Sequence, residues 1–135
     1  MIRWVRYKDL YFPHLPPRTH HTLAVRVQYY ITKKPGITIE DLYALVGEGA
    51  TLEPNEKLFV RKYVQKLKAY DLVRVTRDHI FPSWPFFTTK AVKALVEYHK
   101  EELTARFSPR TVKAWVRGER HPDLNELLRV LEVVV

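Results

Sequence analysis

Apolar residues recur along most of this chain with the period of a helix. Leu23, Val27, Tyr30 and Ile31 follow i, i+4, i+7, i+8 and predict an amphipathic helix starting near Thr19 or Thr22, with a single apolar stripe. Lys33 and Lys34 suit its C-terminal end, where carbonyls concentrate negative charge, and Pro35-Gly36 stops it. A second helix is predicted after Thr38, a side-chain cap, with Glu40 and Asp41 in its first turn and Ile39, Leu42, Leu45 and Val46 facing inward. Gly47 and Gly49 end it, and a long turn runs from Glu48 to Glu53. The third helix starts at Pro54, because the first helical position has no use for an N–H. Val60, Val64 and Leu67 form its buried stripe, with Tyr63 and Tyr70 beside them and Arg61, Lys62, Gln65 and Lys66 on the outer side.

The alternation expected of a strand appears at Leu72–Thr76, followed by Arg77-Asp78 as a turn. His79–Phe81 and Phe86–Thr88 read as the second arm of this ribbon, interrupted by Pro82-Ser83-Trp84-Pro85. Two prolines predict an irregular wing rather than a two-residue hairpin. A fourth helix follows Thr88-Thr89, with Ala91, Val92, Leu95, Val96 and Tyr98 apolar, and either continues or bends within 101–107. After Ser108-Pro109, Arg110–Arg117 is helical by pattern, with Val112, Trp115 and Val116 apolar and Gly118 as its C-cap. Asp123 caps a last helix whose stripe is Leu124, Leu127, Leu128 and Leu131. Val133–Val135 then needs cover from this chain or another one. At the other end, residues 1–18 form an arm in which Arg3, Arg6 and Lys8 interleave with Trp4, Tyr7 and Tyr11. It reads as an edge strand at Ile2–Tyr7 packed on the core, or as a basic arm for a minor groove. The fold class is mainly α with a small β-wing.

Length allows one domain, or one with a small satellite, in 135 residues. With 46% hydrophobic and 13% aromatic residues a real core can be buried. Charge changes the picture more. The formal net charge is +8, which favours polyanions, nucleic acid before an anionic membrane surface. Residues 1–100 hold 17 Lys+Arg and 9 Asp+Glu (17 − 9 = +8), whereas residues 101–135 hold 6 of each. Lys57, Arg61, Lys62, Lys66, Lys68, Arg74 and Arg77 stand against Asp71 alone between 57 and 77 (7 − 1 = +6). Such focusing argues against a surface basic only for solubility.

Cysteine is absent, which excludes a disulfide framework and thiolate metal sites. No apolar run suits a membrane span, and MIRWVRYKDLYF lacks a signal peptide's apolar core, so an intracellular, cytoplasmic protein is expected. Scarce Asn, Gln and Met with nine prolines suggest a thermophilic source. Enzymatic chemistry finds no support. Gly47-Glu48-Gly49-Ala50 lacks the lysine and spacing of a phosphate loop, and no HExxH occurs. His20 and His21 point about 100° apart on a helix and make no metal pair. Ser83 and Ser108 have no base partner nearby in sequence. No enzyme, metal or cofactor is expected.

The order helix, helix, basic helix, β-ribbon, helix over about residues 19–100 resembles the winged helix-turn-helix of MarR-like and ArsR-like regulators. The residues that carry the likeness are Val60, Val64, Leu67 and Leu72-Val73-Arg74-Val75, then Phe87-Thr88-Thr89-Lys90-Ala91 and Leu95. A second run, Leu103–Val133, resembles the Cro/Xre-type helix-turn-helix. Its likeness rests on Ser108-Pro109-Arg110-Thr111-Val112-Lys113-Ala114-Trp115-Val116-Arg117-Gly118, the turn Arg120-His121-Pro122 and the following leucines. The long turn before the third helix and the prolines with Trp84 in the wing depart from the first pattern; the second lacks a glycine-bearing loop ahead of its short helix. At this size the C-terminal unit, residues 101–135, should lean on the first domain.

These resemblances imply a sequence-specific double-stranded DNA-binding protein, a transcriptional regulator acting as a homodimer. Arg61, Lys62, Gln65 and Lys66 are the expected groove contacts, Lys57 a phosphate contact, and Arg74, Arg77 and His79 the wing contacts. Carried over by position, Ser108, Arg110, Thr111, Lys113, Ala114 and Arg117 would face DNA, with Val112 and Trp115 in the core. The zero net charge of the C-terminal unit leaves packing or dimerisation open as its role. The apolar ends of the first and last helices are the expected dimer surface. Two other readings remain at this point, a winged-helix protein–protein interaction module and a structural DNA binder without sequence preference.

Overall fold

The structure, a computed structural model, describes residues 2–8 and 10–134. Its elements run β1 (Arg3–Val5), α1 (Pro17–Lys33), β2 (Ile37–Thr38), α2 (Ile39–Val46), α3 (Pro54–Ala69), β3 (Val73–Thr76), β4 (His79–Pro82), β5 (Phe86–Thr88), α4 (Thr89–Tyr98), α5 (Lys100–Thr104), α6 (Pro109–Arg117) and α7 (Leu124–Val133). The fold is mainly helical with two small sheets.

Helix α1 begins at Pro17 rather than at a threonine. Proline's fixed φ suits the first helical turn, while the Thr22 hydroxyl donates to the Arg18 carbonyl at 3.0 Å instead of capping. The single apolar stripe expected of α1 is also too narrow. Thr22, Ala24, Val25, Gln28 and Tyr29 are buried along with Leu23, Val27 and Ile31, because α2, α3, α4 and β5 all pack on this helix. Helix α2 follows its sequence closely. The Thr38 hydroxyl accepts the Asp41 N–H at 3.1 Å, and Leu42 and Val46 are fully buried.

The ribbon differs from expectation in two ways. Strands β3 and β4 form a regular hairpin with Thr76 opposite His79, so Arg77 and Asp78 are a two-residue loop, both at positive φ (49° and 68°). That is the backbone twist tight hairpins require. Strand β4 is central, in the order β2-β4-β3, all antiparallel. Proline is tolerated there for a geometric reason. The Ile80 carbonyl accepts the Gly36 N–H at 2.8 Å, so by alternation Pro82 turns its missing donor to that same side, past the end of β2. On the other side pairing continues, with the Ser83 N–H on the Leu72 carbonyl at 2.9 Å.

Second, β5 does not extend the hairpin. It pairs in parallel with β1, in the register Arg3–Phe86, Trp4–Phe87, Val5–Thr88. The N-terminal segment is thereby an edge strand on the core, and Phe12 beyond it is buried against Phe59.

The chain bends at His99, so α4 and α5 are separate helices, and α6 packs on both. The Ser108 hydroxyl accepts the Thr111 N–H at 3.1 Å to cap α6, and Gly118 ends it at φ 73°, left-handed backbone that glycine adopts without the steric cost of a Cβ. Asp123 and Glu126 cap α7 reciprocally. The buried face of α7 is centred on Leu127, which brings Val130 and Leu131 inward and leaves Leu128 39% exposed, against expectation. Val134 is buried beside Thr22 and Leu23 of α1, and Ile31 is fully buried. At the helix ends expected to join two copies, Ile31 and Val134 are thus buried within one copy while Tyr30 and Val133 are half-buried; Val135 lies outside the described residues. No helix is long and apolar enough to cross a membrane.

Candidate nucleic-acid interface

Helix α3 turns Phe59, Val60, Tyr63, Val64 and Leu67 into the core. At about 100° per residue, the opposite face is centred on Gln65. Arg61 and Lys68 flank it on one side, Lys62 and Lys66 on the other. Lys57, Arg61, Lys62, Gln65 and Lys68 are exposed and Lys66 is half-buried. The ammonium of Lys66 sits 5.6 Å from the Tyr70 ring centre, and that of Lys57 5.8 Å from Tyr43. Both are held by ring faces at distances that leave the charge open to a further partner.

The N-terminal end of α3 is acidic, with the Glu53 N–H donating to the Glu56 carboxylate at 2.8 Å. That end suits the helix dipole and disfavours a phosphate. The cationic part of α3 therefore begins at Lys57 and runs toward the C-terminus.

The hairpin stands beside this face. Arg61, Gln65 and Lys68 line a groove of about 290 Å³ together with Val75 and Asp78. Arg74 is exposed on the outward side of β3, its guanidinium 5.1 Å from the Phe81 ring centre, and Arg77 is exposed at the tip. His79 is also engaged within the fold. Its Nδ1–H donates to the Gly36 carbonyl at 2.8 Å, so the ring ties β4 to the start of β2 and leaves only Nε2 outward. None of Lys57, Arg61, Lys62, Lys66, Lys68, Arg74 and Arg77 forms an ion pair with another described residue.

The second predicted set lies on α6. Val112 and Trp115 are buried there, and Arg110, Lys113 and Arg117 are exposed together on the opposite side with half-buried Ala114 between them. Arg117 is 3.9 Å from the Glu119 carboxylate. Ser108 and Thr111 are turned to internal use, since their hydroxyls bond each other at 2.8 Å as well as capping the helix. No α6 residue lines the groove beside α3.

Three further residues lie near α3, one in its own cationic run and two in the N-terminal arm. Lys68, three residues from Gln65 and seven from Arg61, was legible from spacing alone. Tyr7 and Lys8 were not, because their position depends on tertiary packing. The Tyr7 ring stacks on Tyr70 at 4.4 Å, and the Tyr70 hydroxyl donates to the Lys8 carbonyl at 3.2 Å, which places the N-terminal segment along the C-terminal end of α3. Among the described residues no group of His, Cys, Asp and Glu could hold a metal ion. Comparison with family models, with curated proteins and with solved structures found no match to this chain.

Proposed function

We propose that the segment from α1 to α4, about residues 19–100, is a winged helix-turn-helix and that the protein binds double-stranded DNA sequence-specifically, as a transcriptional regulator. The observation that carries this reading is the row of cations along α3 and the hairpin that have no ion pair with a described residue, next to a helix face free of acids from Lys57 to Lys68. The strand order β2-β4-β3, with the short β2 between α1 and α2, supports it independently. A helix about 10–12 Å across matches a major groove about 12 Å wide. Gln65, at the centre of the outer face, is suited to pair with an adenine edge and Arg61 with a guanine edge. Lys57, Lys62, Lys66 and Lys68 take phosphates on either side, and Arg74 and Arg77 reach the flanking backbone.

Selection of bound sequences from a random duplex pool, followed by titration of the winning site over a range of salt, tests the proposal. A recovered motif whose affinity falls steeply with salt is the expected result. Retention without any preferred motif would point to a structural DNA binder, and no retention even at low salt to a protein–protein module. Symmetry of the motif reports whether two copies bind together.

A further inference from the structure

The N-terminal segment borders, with His20 and His21 of α1 and Lys90 and Tyr98 of α4, an open groove of about 600 Å³, within the size range of small-molecule sites. Leu10, Phe12, Leu15 and Tyr98 are among its apolar walls, and Lys8 and Lys90 reach it from opposite elements. No described acidic residue lines it. Both lysines are exposed, and neither forms an ion pair with a described residue. Lys90 and Tyr98 stand at the two ends of α4, so the groove runs for about 12 Å along that helix.

Its polar chemistry is unfinished. His20, 8% exposed, has its Nε2 on the Leu10 carbonyl at 2.8 Å, but Nδ1 of His20 and Nδ1 of His21 are buried with no hydrogen-bond partner. The two rings meet edge to face, 5.1 Å apart, and His21 also lies 5.0 Å from the Tyr98 ring. Burial, and then the neighbouring His20 and His99, lower the His21 pKa to about 4. At neutral pH His21 therefore adds no charge, and among the described residues that line the groove the formal charges are those of Lys8 and Lys90. Tyr11 at the rim is 85% exposed, a large ring that contributes little to the core as it stands.

We propose that this groove binds a small amphipathic carboxylate, its apolar body along α4 and its anionic head between Lys8 and Lys90. A nucleic-acid phosphate would engage the lysines but leave the apolar walls and Tyr11 uncovered. A neutral apolar molecule would fill the walls but leave both cations unpaired. The combination selects a ligand carrying both parts.

Decanoate, below its micelle concentration, is the probe, followed by calorimetry on the full chain. Saturable binding of one decanoate per chain is expected. Lys8→Ala with Lys90→Ala should weaken it at least tenfold, and Tyr11→Ala should weaken it severalfold. All three residues are exposed, so thermal melts of these variants should match the parent. The neutral analogue decanol and inorganic phosphate should each bind at least tenfold more weakly. Absence of saturable binding, equal affinity in the double lysine variant, or equally tight decanol or phosphate would each overturn the proposal.

Discussion

The side chain of Gln28 closes a ring with Thr88. Its Oε1 accepts the Thr88 N–H at 2.6 Å while its Nε2 donates to the Thr88 hydroxyl at 3.0 Å and to the Tyr63 hydroxyl at 2.7 Å. Gln28 is fully buried, so one amide ties α1 to α3 and to the β5–α4 junction. It also explains why Thr88, though it precedes a helix, does not cap it. Gln28→Leu keeps the volume but strands the Thr88 N–H, and an unpaired buried group costs about 1–3 kcal/mol. Because the network shares its partners, the expected loss of stability is about 2–4 kcal/mol. Urea denaturation measures it, and a loss below about 0.5 kcal/mol would mean the amide is dispensable.

Arg61→Glu with Lys66→Glu reverses charge on both sides of Gln65. Neither parent side chain pairs with a described acid, so the fold should tolerate the change within about 1 kcal/mol. Affinity for duplex DNA should fall at least tenfold at moderate salt. Each lost phosphate contact lowers the slope of log affinity against log salt by about one. Fluorescence anisotropy at several salt concentrations separates this from misfolding, which melts would reveal.

The features visible in the sequence were the local ones. Thr38, Ser108 and Asp123 cap helices because a hydroxyl or carboxylate reaches a backbone N–H three residues on, and no distant residue is needed. The stripe Val60, Val64, Leu67 is likewise set by the period of α3 alone. What escaped was non-local. Phe86–Thr88 reads as part of the wing because it follows β4 directly, yet the partner of β5 is β1, far off in the sequence. Strand β2 spans only two residues, too few to show alternation. Helix α1 reads as having one buried face because Thr22 and Gln28 look like surface residues; α3, β5 and the end of α4 cover them only once the chain is folded. For the site, helical spacing placed Arg61, Lys62 and Gln65 outward, but no spacing rule could show that His79 spends its Nδ1–H on Gly36.

The hairpin tip offers a test in which stability and binding move in opposite directions. Arg77 and Asp78 both hold left-handed backbone, which favours Asn and Gly. Arg77→Asn with Asp78→Gly should stabilise the fold by about 0.5–1 kcal/mol, since it relieves strain in the loop. The pair removes the tip cation together with the Asp78 anion, so DNA affinity is read against Asp78→Gly alone, relative to which the double variant should bind severalfold more weakly. A double variant both more stable and equal in affinity to Asp78→Gly would remove Arg77 from the interface.

Acid should weaken the fold through its histidines. Burial lowers the pKa of His21 to about 4 and holds His99 and His121 below their ordinary value. At His99 the nearby Glu102 carboxylate opposes that shift without cancelling it. These groups bind protons more readily in the unfolded chain, so their contribution is complete above pH about 6.5 and is lost as pH falls toward 4. Glu102 extends the loss further. Although burial raises its pKa, hydrogen bonds from Arg18 and His99 hold it below the usual carboxylate value, so its contribution disappears as pH drops through that lower value. Melting temperature should therefore be flat above pH 7 and fall between pH 6.5 and 4. In His21→Gln the fall should be shallower, and an identical profile would show that His21 does not set it.

The two faces of α6 can be separated by paired substitutions. Ser108→Ala removes the hydroxyl that accepts the Thr111 N–H, and loss of such a cap costs about 1 kcal/mol. Because that hydroxyl is engaged within the helix and with Thr111, DNA affinity should not change. Arg110, Lys113 and Arg117 point away from Val112 and Trp115 and carry no packing role, so their triple replacement by Ala should leave the melt nearly untouched. If α6 touches DNA, the triple variant loses affinity and its salt slope falls by about three. If α6 serves only to cover α4 and α5, affinity and slope both stay at the parent values. The balanced charge of residues 101–135 and the Arg117–Glu119 contact favour the smaller effect, with α3 as the main DNA-binding element. A loss in the triple variant as large as that of the α3 charge reversal would overturn that ranking.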